Sequence, residues 1–221
     1  MKRDAYTAVL YPLQDEVLGL VRDLDTGFYL TGGTAASRGY LDHRLSDDLD
    51  LFTNDRPEFT LWVERVIQAL GSRRPYTLEV VQRDHRFVRL IVSSSELPLR
   101  IEMVNDVPSH VGEIREHAVL GRLDSPENIL ANKISAVVDR DEPKDLADIW
   151  GFGSRLHLSI SDALNAAQSK AAGIFPADLA RRLCTATEDD WKAVRWIDAP
   201  ELDRYLADLA ELGNQLIVSG D

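Results

Sequence analysis

The residues whose types and spacing could do chemistry lie between Gly32 and Phe52. A short apolar run, Phe28-Tyr29-Leu30, leads into Gly32-Gly33-Thr34-Ala35, then a helical pattern over Ala35 to Leu41, then Arg44-Leu45-Ser46-Asp47-Asp48-Leu49-Asp50-Leu51-Phe52. Asp48 and Asp50 stand two apart in a run that reads as a strand. Both carboxylates then point to one face, and Leu49 and Leu51 point to the other, toward a core. Two carboxylates on one strand face repel each other unless a cation sits between them. Oxygen ligands at that density suit a hard divalent ion such as Mg²⁺. The glycine pair lets backbone amides come close to a phosphate at the start of a helix, where the dipole also favours an anion. A phosphate loop joined by one short helix to an acidic strand is the layout expected for nucleotide chemistry. The bland alternative is a strand–helix turn followed by a strand with solvent-facing acids.

Further elements must position these residues. Residues 5 to 23 read as an amphipathic helix, with Val9, Leu10, Leu13, Val17, Leu18, Leu20 and Val21 at helical spacing among Gln14, Asp15, Glu16 and Arg22; Pro12 is an alternative start. Phe28 to Thr31 reads as a buried strand. A second helix, carrying Leu61, Val63, Val66, Ile67 and Leu70, ends at Gly71. The period then changes to β: Tyr76 to Gln82, Phe87 to Ser93, and, after a turn over Ser94 to Pro98, Leu99 to Val104. Alternation in the last of these puts Arg100, Glu102 and Val104 on one face. Val119 to Leu123 reads as a last short strand. Ser125-Pro126-Glu127 has the N-cap, first-position proline and first-turn acid of a helix start. That helix carries Ile129, Leu130, Ile134, Val137 and Val138 with Lys133 in its middle, and a second helical stretch follows Asp141-Glu142-Pro143. The fold class is therefore α/β (α+β): a mixed central sheet flanked by helices over 1–123, then a mostly helical part over 124–221. In that helical part, 185–190 reads as an acidic connector and Cys184 as a buried residue of a helix.

Composition bounds the rest. The 221 residues include 25 basic and 37 acidic side chains, a net of −12. That balance argues against broad, sequence-independent nucleic-acid binding, which needs basic surface. It suits a basic protein partner, and it leaves room for a local basic groove. No apolar run reaches the length of a membrane span, and the start of the sequence lacks the pattern of a secretory signal. With one cysteine the chain forms no intramolecular disulfide, and it reads as cytoplasmic. The five histidines show no metal-ligand spacing, and neither a P-loop nor a dinucleotide fingerprint occurs.

Gly-Gly-Thr-Ala, a helical turn, then His-Arg-x-Ser-x-Asp-Leu-Asp-Leu-Phe resembles the first motif of the DNA polymerase β-like nucleotidyltransferase superfamily. Within it the match is to the AbiEii/AbiGii toxins of type IV toxin–antitoxin systems. The run Lys133-Ile-Ser-Ala, Arg140 and Lys144-Asp145-Leu-Ala-Asp148-Ile is similar to the family's later lysine and Lys/Arg-Asp motifs. The resemblance thins after Trp150. It implies a transferase that moves an NMP from an NTP to an acceptor hydroxyl, with Mg²⁺ or Mn²⁺ held by Asp48, Asp50 and a third acid on a neighbouring strand. Glu102 is the candidate for that acid, and a water-facing edge glutamate is its alternative. The resemblance also implies nucleotide contacts from Gly32, Gly33, Thr34, Arg44, Ser46, Lys133 and Lys144. Asp145, favoured over Asp148, would orient Lys133 or act as a base. Expected partners are an NTP, an RNA acceptor (especially a tRNA 3′ end) or a protein acceptor, and a cognate antitoxin, with no membrane. The alternatives are a transferase acting on a small, antibiotic-type molecule and a non-catalytic nucleotide-binding or interaction module.

Overall fold

The computed structural model describes residues 6–94 and 97–218. The chain divides into two compact units. One comprises residues 1–35, 45–108 and 113–124; the other comprises 36–44, 109–112 and 125–221. The sequence reading places the division at 123/124. The structure puts the main change of unit one residue later and gives 36–44 and 109–112 to the helical unit as well.

Among the described residues, all seven strands lie in the first unit. A π-helical turn at Tyr6–Leu10 leads into α1 (Tyr11–Asp23), followed by β1 (Tyr29–Thr31), a helical turn at Gly32–Thr34, β2 (Leu49–Asn54) and α2 (Phe59–Gly71). Then come β3 (Thr77–Arg83), β4 (Phe87–Ser93), β5 (Pro98–Asp106), β6 (Arg115–His117) and β7 (Gly121–Leu123). The sheet order is β3-β4-β5-β2-β1-β7-β6. It is mixed: β2 runs parallel to β5, β1 runs parallel to β7, and the other neighbours are antiparallel.

Register carries the sequence pattern across this sheet. Leu49, Ile101 and Leu90 form one cross-strand row, and Leu51, Met103 and Val88 the next. All six side chains are buried. Fully burying each is worth about 1.5–3 kcal/mol. A one-residue slip of β2 would put Asp50 into that core, so the apolar rows fix which face the acids take. The other face reads Thr31, Asp50, Glu102, Arg89 across β1, β2, β5 and β4.

The second unit is helical: α3 (Pro126–Arg140), α4 (Pro143–Trp150), a π-helical turn at Gly151–Arg155, α5 (Ile160–Lys170), α6 (Pro176–Cys184), α7 (Glu188–Ala193) and α8 (Leu202–Val218). Ser125 caps α3 by accepting from the Asn128 amide, and Ser159 caps α5 by accepting from the Asp162 amide. Its core includes edge-to-face stacking of Trp150 on Trp196 and of both on Tyr205, at centroid distances of 6.0, 5.6 and 5.6 Å.

Four local readings change. Residues 188–190 are no connector. Thr187 accepts from the Asp190 amide while the Asp190 carboxylate accepts from the Thr187 amide, a capping box that starts α7. Strand β6 is new, and Asp48 lies just before β2 rather than in it. Cys184, at the end of α6, is exposed, whereas Leu179, Ala180 and Leu183 carry that helix's buried stripe. Residue 5 of the first expected helix, and Ser95 and Glu96 of the expected turn, lie outside the described residues.

Candidate active site

The acid face belongs to the sheet unit. Asp50 of β2 and Glu102 of β5 are direct register partners on parallel strands, and Thr31 of β1 is Asp50's partner on the other side. Thr31 donates its hydroxyl to the buried carboxylate of Asp124, at 2.6 Å. Asp124 is a further acid at this end of the sheet that the sequence reading passed over. Its position between the last apolar strand residue and a helix N-cap is the signal that could have found it. Arg89 and Arg100 face the acids. Arg89 donates from Nε to Glu102 at 2.9 Å; Arg100 donates to Asp48 and also approaches Glu102, at 3.7 Å. Burial opposes the charge on Arg100, but Asp48, Glu102 and Asp50 hold its pKa above the usual value.

The loop leading to β2 is fastened from behind. Gln14, read from sequence as part of the polar face of α1, is fully buried and donates to the carbonyls of Ser46 and Asp47, at 3.2 and 3.1 Å. Tyr6 donates its hydroxyl to the Asp47 carboxylate. Thr34 is buried, and its hydroxyl engages Ser46 Oγ at 2.9 Å and the Asp48 carbonyl. The hydroxyls of Thr34 and Ser46 thus tie the glycine turn to the acidic segment. Both side chains, candidate nucleotide contacts by sequence, are engaged with each other.

Gly32 is required twice over. Its φ is +68°, and a Cβ there would lie 1.9 Å from Asp50 Oδ2. Gly32→Ala is therefore expected to displace the Asp50 carboxylate and to cost on the order of 1–3 kcal/mol in backbone strain alone. Thermal denaturation beside a transfer assay checks this: both should fall. Activity retained at full level would contradict the packing argument.

Do these residues fit a divalent ion? Among the described residues, no three His, Cys, Asp or Glu side chains converge on one ion position. Mg²⁺, however, is commonly held by one or two carboxylates with substrate phosphates and waters completing its shell. Asp48 and Asp50 supply hard oxygen donors of that kind, with the space for Asp50 left by the missing Gly32 side chain. The donor set fits an ion shared with a phosphorylated substrate better than a closed three-carboxylate cage.

The helical unit holds the second cluster. Asp148 of α4 is fully buried and is gripped by four contacts. Arg44 donates from Nε to Oδ1 and from one terminal nitrogen to Oδ2, both at 2.7 Å; His43 Nε2 lies 2.9 Å from Oδ1; and Lys133 Nζ lies 2.7 Å from Oδ2. Burial alone would raise the Asp148 pKa, but Arg44 and Lys133, with the His43 and Arg44 hydrogen bonds, hold it well below the carboxylate range. Lys133 also donates to Asp145 at 2.8 Å, and Arg140 donates to both Asp145 oxygens. Burial opposes the charge of Lys133, yet Asp148 and Asp145 raise its pKa above the usual value. Arg44, a candidate nucleotide contact by sequence, thus commits two guanidinium nitrogens to Asp148. Lys144 is half exposed and pairs with Glu142 at 2.7 Å.

His43 makes the cluster pH-sensitive. A carboxylate only accepts, so the neutral ring carries its proton on Nε2; Nδ1 is buried with no hydrogen-bond partner among the described residues. Burial lowers the pKa, and the Asp148 contact opposes this without reversing it. The folded state therefore refuses a proton that the unfolded chain accepts near pH 6.5. The stability this histidine contributes is fully present above that pH. It is lost at up to about 1.4 kcal/mol per pH unit as pH falls toward the depressed folded value. Denaturant titrations from pH 7.5 to 5 should show this slope in the wild type and a flatter one in His43→Phe. Equal slopes would contradict the assignment.

Comparison with known proteins adds to the geometry. The chain covers 98% of itself and 86% of MenT4, a nucleotidyltransferase toxin from Mycobacterium tuberculosis, at 18% identity and a TM-score of 0.71. Against the crystal structure of a nucleotidyltransferase from H. pylori, described there as putative, coverage is 99% and 97%, identity 18% and TM-score 0.65. No curated protein matches. These likenesses establish the fold. No described helix is long and apolar enough to cross a membrane. The model for "Nucleotidyl transferase AbiEii toxin, Type IV TA system" matches residues 20–201, which includes the glycine turn, Asp48, Asp50, Glu102, Lys133 and Asp145, and the chain belongs to that toxin nucleotidyltransferase family.

Proposed function

We propose that the chain transfers an NMP from an NTP to an acceptor hydroxyl on RNA or protein, in a reaction that depends on Mg²⁺ or Mn²⁺, and that a cognate antitoxin restrains it. The observation that carries this reading is the acid face: Asp50 in register with Glu102, Asp48 two residues before Asp50, and a glycine turn whose missing side chain makes room for Asp50.

In this reading Asp48 and Asp50 hold the ion, and Glu102 is the third acid beside them. The bound ion would supply charge neutralisation at the phosphates and acidify the acceptor hydroxyl. The chain's own residues do the rest. The backbone of Gly32 and Gly33 approaches the phosphates with no side chain in the way. Lys133, the candidate for the phosphate charge by sequence, is kept cationic despite its burial by Asp148 and Asp145, and Arg140 holds Asp145 in turn. Phosphoryl-centre chemistry of this kind needs little covalent work from the protein; positioning and fixed charge supply most of the acceleration. The basic residues Arg44 and Lys144 then act at a remove, Arg44 by holding Asp148 and Lys144 by adding surface charge.

The acceptor is tested directly. Purified protein, Mg²⁺ and each NTP labelled at the α-phosphate are mixed in turn with total RNA, tRNA, cell protein and an aminoglycoside. Label entering RNA or protein in a metal-dependent way supports the reading. Label entering the aminoglycoside alone makes it a small-molecule enzyme, and NTP binding without turnover under any metal makes it a binding module.

A further inference from the structure

On the metal-binding reading above, we propose that Arg100 is the built-in counterion of the acid face: its guanidinium bridges Asp48 and Glu102 until a divalent cation takes its place. Asp48, Asp50 and Glu102 lie together here, and the guanidiniums of Arg89 and Arg100 reach two of them. Arg89 is spent on Glu102, at 2.9 Å. Arg100 reaches Asp48, donating to Oδ2 from one terminal nitrogen, while its Nε lies 3.7 Å from Glu102. It therefore stands between a strand-leading acid and the neighbouring strand's acid.

Register explains how it gets there. Leu49 pairs with Ile101, so the residues just before them, Asp48 and Arg100, meet at the same end of the parallel β2–β5 pair. Arg100 lies on the open face with Glu102, two residues along β5, while Leu99 and Ile101 are buried on the other. The contact is suited to exchange. Arg100 and Asp48 are 45% and 28% exposed, and ion pairs as open as this contribute little to stability. A dication competes for the same carboxylate oxygens with twice the charge. Asp148, by contrast, is sealed from solvent among four donors and offers no such exchange. Arg100 is thus a positioning residue: it screens the repulsion between the acids and holds Asp48 in place before the ion and substrate arrive.

The test measures metal binding with no NTP present. Full-length wild type, Arg100→Gln and Arg83→Gln are titrated with Mn²⁺ by calorimetry and by the loss of the free-ion paramagnetic resonance signal. Arg83 pairs with Glu64 away from these acids, so its variant controls for the change in net charge. Arg100→Gln is expected to bind Mn²⁺ about three- to tenfold tighter, and Arg83→Gln to match wild type. Unchanged or weaker binding in Arg100→Gln, or equal tightening in Arg83→Gln, overturns the proposal while leaving metal binding intact. Mn²⁺ binding to none of the three proteins overturns the metal reading and this proposal together. A second measurement needs no loss of function. The Arg100 terminal guanidinium N–H resonance, assigned by its absence in Arg100→Lys, should be protected by the Asp48 hydrogen bond without metal and lose that protection on saturation with Mg²⁺. Protection that persists at saturation also overturns the proposal.

Discussion

Asp50→Asn is expected to lower nucleotidyl transfer by at least about three orders of magnitude while leaving the fold intact. The change keeps size and shape, so the β2–β5 register and its buried rows are undisturbed. What it removes is an anionic oxygen from the pair assigned to the ion. A metal clamp on a phosphoryl oxygen stabilises the transition state by several kcal/mol, and each 1.36 kcal/mol is tenfold in rate. The loss should appear in kcat and kcat/KM alike, because the interaction matters most as charge develops. Asp48→Asn should behave the same way and should not add fully to Asp50→Asn, since the two act on one ion. Glu102→Gln is the informative contrast: it also releases Arg89, so part of its effect should be recovered in Glu102→Gln with Arg89→Gln.

Asp148→Asn should give a large loss of stability. The amide leaves Arg44 in a buried site without its anion and leaves Lys133 with Asp145 alone. Removing one partner of a buried ion pair costs about 3–5 kcal/mol, largely as uncompensated charge. For a protein of this size each kcal/mol shifts the melting temperature by about 2–4 °C, so a fall of about 10 °C is expected in calorimetry. The pH dependence has a definite sign. Because the folded carboxyl is held well below its ordinary range, Asp148 stabilises the fold above about pH 4. That contribution is lost as pH falls through the depressed folded value. In Asp148→Asn with Lys133→Met the stability lost should be smaller than the sum of the single losses, since both changes break the same Lys133–Asp148 pair.

The parts of this account legible in the sequence are those written in periodicity. Alternation in Leu49-Asp50-Leu51 identifies a strand with one buried and one open face, and the β2 burial pattern follows it. The runs 87–93 and 126–140 announce their own type through β-branched residues and through a Ser-Pro-Glu start. What could not be read is who meets whom across long separations. Arg44 looks like a phosphate ligand beside a glycine loop; only folding brings it against Asp148, over a hundred positions away. Gln14 looks like the wet side of an amphipathic helix, yet it is buried because two loop carbonyls need a donor. Thr34 and Ser46, each plausible against a phosphate, satisfy each other. The acidic run 188–190 hid a capping box because composition drew attention from the Thr-x-x-Asp spacing. In each case polar groups chose partners inside the protein, and a single sequence does not state those pairings.

The most direct test of the central claim follows the label from each end of the triphosphate. Wild type and Asp48→Asn are incubated with Mg²⁺ and acceptor, with the NTP labelled at the α-phosphate in one series and at the γ-phosphate in another. The account predicts that wild type delivers the α-label to the acceptor and releases the γ-label as pyrophosphate, and that Asp48→Asn does neither. Transfer of the γ-label to the acceptor, or α-label transfer that survives in Asp48→Asn, would contradict it.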